Sequence, residues 1–138
     1  MNSQLHQATC VAIDGRGVLI EGPPGIGKSS LALALIDRGA MLVGDDGVLL
    51  ETRQGKLWAC PAPRTAGLME IRNLGLVEME CRPAQVALIL VLDTVAPRYR
   101  EAADQAERSG CPLPLIRLWP DSPVLALRAE WALRRYGC

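Results

Sequence analysis

The sequence predicts an α/β domain built on a mixed sheet. Short apolar runs of strand length recur along the chain. Glycine-centred turns join neighbouring runs into hairpins, and segments of helical length are interspersed among them. At 138 residues, 49% hydrophobic and 22% charged, the chain suits one globular domain over residues 1–138. A domain of this size buries roughly two-thirds of its unfolded surface.

Taken in order, Thr9 to Ile13 and Arg16 to Glu21 read as strands flanking Asp14-Gly15, a hairpin signal. A glycine-rich loop follows, and then Ser29 to Arg38, a helix closed by Gly39 at its C-terminal cap. Met41 to Gly44 is a strand ending at Asp45-Asp46. Val48 to Glu51 and Lys56 to Ala59 form a second hairpin about Gln54-Gly55. Pro61 to Gly67 has loop chemistry, because prolines cannot donate in a ladder. Leu68 to Arg72 reads as a short strand or turn ended near Gly75. Val86 to Leu92 is apolar on both faces, as a central strand is. Arg98 to Arg108 reads as a polar surface helix, and Leu113 to Trp119 as a strand broken by Pro114. Ser122 to Tyr136 closes the chain as an amphipathic helix through Val124, Leu125, Leu127, Trp131 and Leu133.

Composition excludes several function classes. A formal net charge of zero leaves no electrostatic footprint for nucleic acid. With three Trp, two Tyr and no Phe, a base-stacking platform is not expected either. Met1 to Gln7 lacks the basic, apolar, small-residue succession of a signal peptide, and no run is long enough to span a bilayer. The five cysteines are odd in number, widely spaced and without a C-x-x-C, so reduced thiols in a cytoplasmic protein are expected.

Gly22-Pro23-Pro24-Gly25-Ile26-Gly27-Lys28-Ser29 fills every fixed position of the phosphate-binding pattern G-x-x-x-x-G-K-[ST]. Glycines let the backbone turn several N–H groups on one anion, and Lys28 adds a mobile positive charge. The Ser29 hydroxyl is a hard donor of the kind Mg²⁺ selects. A strand before and a helix after place a bound phosphate at the positive end of the helix dipole. The chain is therefore expected to bind a nucleotide or another polyphosphate. It has only two lysines, Lys28 and Lys56, which makes one inside the loop more telling.

Phosphoryl transfer needs carboxylates as well, and two sites compete for the role. Asp93 ends the longer apolar strand and matches the metal-binding aspartate of ordinary P-loop ATPases by pattern; its bland alternative is a strand-end turn residue. Asp45-Asp46 end the strand after the loop helix, where two adjacent carboxylates call for a cation or for proton chemistry unless they only form a charged turn before Gly47. His6, the sole histidine, precedes the first hairpin, and a hairpin can carry it toward the loop. Alone it reads as a surface residue. Glu70 and Arg72 lie between Gly67 and Asn73-Leu74-Gly75, a glycine-rich neighbourhood suited to close backbone approach.

Together these residues resemble the catalytic domain of bacterial HPr kinase/phosphorylase. His6, the run from Gly22 through Arg38-Gly39 to Asp45-Asp46, and Gly67-Leu68-Met69-Glu70-Ile71-Arg72-Asn73-Leu74-Gly75 carry the likeness in order. It covers about residues 6 to 80 well and the remainder loosely. None of the amino-terminal regulatory domain of longer members is matched. The resemblance implies a P-loop kinase fold of the HPr kinase / PEP carboxykinase type, moving the γ-phosphoryl of ATP to a serine of an HPr-type phosphocarrier protein. It makes Gly22 through Ser29, with Ser30, the nucleotide-binding segment, and Lys28 the phosphate holder. Ser29 and Glu70 become Mg²⁺ ligands, and Asp46, with Asp45 beside it, orients or deprotonates the serine. His6 assists near the aspartate and Arg72 shapes the phosphoryl site. Asp45-Asp46 thereby outranks Asp93. A homo-oligomer, a hexamer in the family, is also implied; an additional catalytic arginine has only Arg98 and Arg100 as candidates.

The sequence departs from the family at two places. Pro23-Pro24 supply no N–H to the loop. Leu118-Trp119-Pro120-Asp121-Ser122-Pro123 stands where the family has a Pro-Gly-Arg-Asn-like loop tied to phosphorolysis, so kinase chemistry with weak or absent phosphorolysis is expected. Rival readings are a kinase of another protein or peptide serine and an ATP sensor without transfer. A small-molecule kinase ranks last, because no segment supplies an arginine lid.

Overall fold

The structure is a computed structural model describing residues 3–138. Its eleven strands and two helices run in the order β1 (Ser3–His6), β2 (Thr9–Ile13), β3 (Arg16–Glu21), α1 (Lys28–Asp37), β4 (Met41–Gly44), β5 (Val48–Arg53), β6 (Lys56–Pro61), β7 (Leu68–Ile71), β8 (Gly75–Glu78), β9 (Ala84–Leu92), β10 (Asp104–Arg108), β11 (Cys111–Leu118) and α2 (Leu125–Tyr136). Nine strands make one mixed sheet: seven run in the order β1-β5-β6-β9-β3-β2-β4, β11 branches from β9 with β10 beyond it, and β7-β8 stand apart as a hairpin.

β9 is the spine. One edge pairs in parallel with β3, from Arg16↔Gln85 to Glu21↔Val91. The other edge is shared: β6 takes its start at Trp58↔Gln85 and Ala59↔Ala84, and β11 takes its end from Leu115↔Ile89 to Leu118↔Leu92. Side chains alternate between two cores. Leu88, Leu90 and Leu92 join Val18 and Ile20 beneath α1 and α2, with Leu31, Leu35, Ala129 and Leu133. Val86 and Ile89 face the opposite core with Leu19, Leu50, Leu57 and Leu115. That second core is built from strands alone, so the sheet curls over itself to close it. Burial on both faces is why Val86 to Leu92 carries no polar residue.

Three of the tight turns are built alike. Asp14-Gly15, Gln54-Gly55 and Ser109-Gly110 each place two residues at positive φ, between 50° and 78°. Two-residue loops of that conformation match the twist of the strands they join.

The expected elements recur with four corrections. In the first, the closing helix starts at Leu125 rather than Ser122 and buries Leu125, Ala129, Ala132 and Leu133, while Val124, Leu127 and Trp131 of the expected apolar face are exposed. Arg98 to Arg108 is not a helix: residues 104–108 form β10, paired with β11 from Asp104↔Leu115 to Arg108↔Cys111. Gln105 and Glu107 are exposed while Asp104, Ala106 and Arg108 are half-buried, a period of two rather than 3.6. Pro114 does not break its strand, since pairing with β9 starts one residue later, at Leu115. β1 and β8 are additional short strands, mostly exposed and so without an apolar pattern.

Leu88 is fully buried on the helix side of β9. Leu88→Ala is expected to destabilise the fold by about 2–5 kcal/mol. The check is a lower urea midpoint with an unchanged slope.

Candidate active site

The glycine-rich loop leaves β3 at Gly22 and enters α1 at Lys28. Gly22 (φ 152°) leaves little room for a side chain, because a Cβ would sit 3.1 Å from the Leu92 carbonyl oxygen and 3.0 Å from Ile26 Cγ2. Gly25 and Gly27 also hold positive φ, 80° and 115°. Gly27 is the N-cap of α1, with no side-chain capping bond and no acidic residue in the first turn. The first-turn N–H groups are thus left for an anion. Pro23 and Pro24 donate nothing, and the Ile26 N–H closes on the Pro23 carbonyl at 3.3 Å. Lys28 Nζ lies over the loop, donating to the Gly22 and Pro23 carbonyl oxygens at 2.7 and 3.2 Å.

The aspartate pair is divided between two environments. Asp45 is buried, and its Oδ1 accepts from Ser29 Oγ at 2.7 Å and from Thr9 Oγ1 at 3.1 Å. Asp46 is exposed at φ 60°, and its backbone N–H reaches Thr9 Oγ1 at 3.5 Å. The turn depends on Gly44, where a Cβ would lie 2.6 Å from the Gly47 carbonyl oxygen. One carboxylate is therefore fixed against the loop serine while its neighbour stays open.

Both border a cavity of about 850 Å³. One wall is the loop and the start of α1, through Pro24, Gly25, Gly27, Lys28, Ser29, Ser30 and Leu33. A second is Thr9 with Asp45 and Asp46. The third is the β7–β8 hairpin, through Met69, Glu70, Ile71, Arg72, Asn73 and Gly75. Hydroxyl and carboxylate oxygens of Ser29, Asp45, Asp46 and Glu70 thus share one space with Lys28 and Arg72. Hard oxygens beside a phosphate cradle fit Mg²⁺. Among the described residues no three His, Cys, Asp or Glu side chains cluster to hold a metal unaided.

The structure thus brings together Lys28, Ser29, Ser30, Asp45, Asp46, Glu70 and Arg72, along with Pro24, Gly25 and Gly27. Gly22 and Pro23 contribute the carbonyls that Lys28 meets, and Ile26 packs against the helix-side core. His6 does not line the cavity. From β1 its Nε2 lies 2.8 Å from Glu21 Oε2. Asp93 lies elsewhere: Oδ1 accepts from the Val95 N–H at 2.9 Å and Oδ2 meets Arg117 at 3.3 Å, as a strand-end turn residue does. Arg100 is ion-paired with Asp104, also outside the cavity.

Sequence reasoning overlooked Thr9, Glu21 and Arg108. A hydroxyl opening an otherwise apolar strand was the one visible sign of Thr9. Nothing local signals the others. Arg108 grips Glu21 with both ends of its fork, Nε to Oε2 at 2.9 Å and Nη2 to Oε1 at 2.6 Å. Burial would push the Glu21 carboxyl up, but the hydrogen bonds and charges of His6 and Arg108 outweigh it and hold it at about 2.

Three comparisons with known proteins bear on this site. The family model described as HPr Serine kinase C-terminal domain matches residues 1–82. The chain belongs to that family. Among curated relatives, an HPr kinase/phosphorylase of Streptococcus thermophilus is 36% identical over 137 residues, covering 86% of this chain and 44% of the relative. One from Clostridium tetani is 42% identical over 91 residues, 66% of this chain and 28% of the relative. The chain thus spans less than half the length of these HPr kinase/phosphorylases. The solved Hpr(Ser) kinase/phosphatase of Coxiella burnetii superposes with a TM-score of 0.82 at 29% identity, over 95% of this chain and 94% of that one. The P-loop kinase-like fold is therefore shared over 95% of the chain.

The Glu21 cluster makes an acid-stability prediction. Its folded pKa lies below the usual carboxyl value near 4.3, so its stabilisation is complete above about pH 5 and fades as pH falls toward 2. Arg108→Ala is expected to cost about 1 kcal/mol at pH 7, the shift being shared with His6 and screened by solvent, and far less near pH 2. Urea unfolding at both pH values checks it.

Proposed function

We propose that this chain is an ATP- and Mg²⁺-dependent protein serine kinase whose acceptor is an HPr-type phosphocarrier protein. The observation that carries the reading is the shared cavity, in which the phosphate loop, an anchored aspartate, an open aspartate and Glu70 with Arg72 converge. Membership of the HPr serine kinase family supports the choice of a serine on a protein as acceptor.

Each residue has a task its surroundings suit. The loop amides and Lys28 hold the phosphates of the nucleotide and offset charge that builds during transfer. Ser29 and Glu70 would hold Mg²⁺, which would supply charge neutralisation at the phosphates. Asp45 cannot reach an acceptor while it takes hydrogen bonds from Ser29 and Thr9, so it fixes the serine. Asp46, exposed at the cavity, takes the proton of the incoming serine hydroxyl as its oxygen bonds to the γ-phosphorus and ADP leaves. Arg72 faces the same space and steadies the transferring group. His6, bonded to Glu21 just before the loop, keeps the assisting role that the family likeness implies.

Phosphorolysis is proposed to be weak or absent. The segment 118–123 connects β11 to α2, with Ser122 Oγ accepting from the Val124 N–H at 3.1 Å, and it does not line the cavity. Self-assembly belongs to the same reading. Val124, Leu127 and Trp131 leave an exposed apolar stripe along α2, which an assembly would bury.

The test is incubation with Mg²⁺-ATP and an HPr-type phosphocarrier, followed by intact mass of the carrier. One added phosphoryl group mapped to serine is expected. No gain with nucleotide still bound would redirect the search to another protein acceptor or a sensing role. Lys28→Ala is expected to lower transfer by at least about 10²-fold. Asp46→Asn should reduce kcat by about 10²–10⁴-fold with nucleotide affinity little changed, and Asp93→Asn should leave kcat near wild type. Steady-state kinetics with nucleotide titrations separate these outcomes.

A further inference from the structure

The His6–Glu21–Arg108 cluster lies outside the cavity, yet it sits at the root of the phosphate loop. Glu21 is the last residue of β3 and immediately precedes Gly22, whose carbonyl receives Lys28 Nζ. Its two oxygens are fully engaged: Oε1 by Arg108 Nη2, Oε2 by Arg108 Nε and His6 Nε2. The three side chains come from strands that are not neighbours. β5, β6 and β9 separate β1 from β3, while β9 and β11 separate β10 from it. Only the curl of the sheet brings them together, and Ser109 Oγ donating to Gln4 Oε1 at 3.3 Å ties the same two edges.

An ionised carboxylate can only accept hydrogen bonds. The charge of Arg108 keeps Glu21 ionised across the working pH range. Where the ring is neutral, His6 Nε2 must then carry the proton it donates, which leaves Nδ1 unprotonated.

We propose that Glu21, locked by the Arg108 fork, is a positioning residue that sets the ring orientation and tautomer of His6 behind the phosphate loop. The inference rests on the supporting role proposed above for His6. Arg108 acts one step further back, holding the carboxylate in the plane that the imidazole meets. A fixed acceptor beside a histidine is a general means of choosing its tautomer.

His6 is the only histidine, so its ring signals are assigned without ambiguity in ¹⁵N-resolved NMR. In the wild-type chain at pH 8 the Nε2–H form is expected to dominate. In Glu21→Gln a neutral amide accepts from one side of the Arg108 fork only, and where its NH₂ takes the place of Oε2, between Arg108 Nε and His6 Nε2, the ring turns to Nδ1–H, so the preference for Nε2–H should weaken. With the phosphocarrier assay, Glu21→Gln should lower kcat roughly 10- to 100-fold with KM for ATP little moved. The double variant with His6→Gln should be no slower than His6→Gln alone. Arg108→Lys, which keeps charge but loses the fork, provides a milder variant with an intermediate loss expected in both readouts. A mixed tautomer in the wild-type chain overturns the inference. So does Glu21→Gln with unchanged tautomer and kcat, or a double variant whose losses simply multiply. No transfer by the wild-type chain refutes the kinase reading instead, while the NMR result still decides the tautomer.

Discussion

The parallel pairing of β3 with β9 is the constraint on which the rest of the molecule depends. It fixes where the phosphate loop begins, because Gly22 must leave β3 against the Leu92 carbonyl, where a side chain would be crowded. It also places the first turn of α1 over a core that Leu88, Leu90 and Leu92 fill from below. Both strands are apolar on both faces, so neither can slip register without turning a buried set into the wrong core. The rigidity of a site made mostly of loops is borrowed from this pair.

Within the site, two identical side chains are made different by their surroundings. Asp45 is buried and satisfied by two hydroxyls, while Asp46 is turned outward by a positive φ that Gly44 and the tight turn impose. Asp tolerates that conformation better than most residues. The backbone thus separates an anchoring carboxylate from an open one over a single peptide bond. Thr9 is the hinge of that division, since its hydroxyl donates to the Asp45 carboxylate and accepts from the Asp46 amide.

What the sequence made legible was local. The G-x-x-x-x-G-K-[ST] loop, the glycine-ended helix and two of the three two-residue turns are written in residues a few positions apart. Ser109-Gly110 was an equally plain turn signal, and giving it weight would have turned the supposed helix from Arg98 into β10. β1 was hidden because an exposed edge strand has no apolar period. The likeness in sequence brought Asp45-Asp46, Glu70 and Arg72 forward over Asp93, and the fold gathers those four around one cavity. The contact of His6 with Glu21 was beyond reach, since it exists only after the sheet has curled, and no spacing along the chain encodes a curl.

That closure also has a cost in time. β9 recruits partners from both sides in sequence, and the ion pair that fastens the curl joins residues 87 positions apart. Each such contact requires the entropy of a long loop to be given up before any pairing energy returns. Local hairpins can form early, but the fastening of β1 and β10 to Glu21 can come only once β9 has collected its neighbours. A chain emerging from synthesis has its phosphate loop, residues 22–29, long before the strand that holds that loop in place. The loop therefore exists for a time as a loop alone, and it becomes part of a site only when β9 has closed behind it.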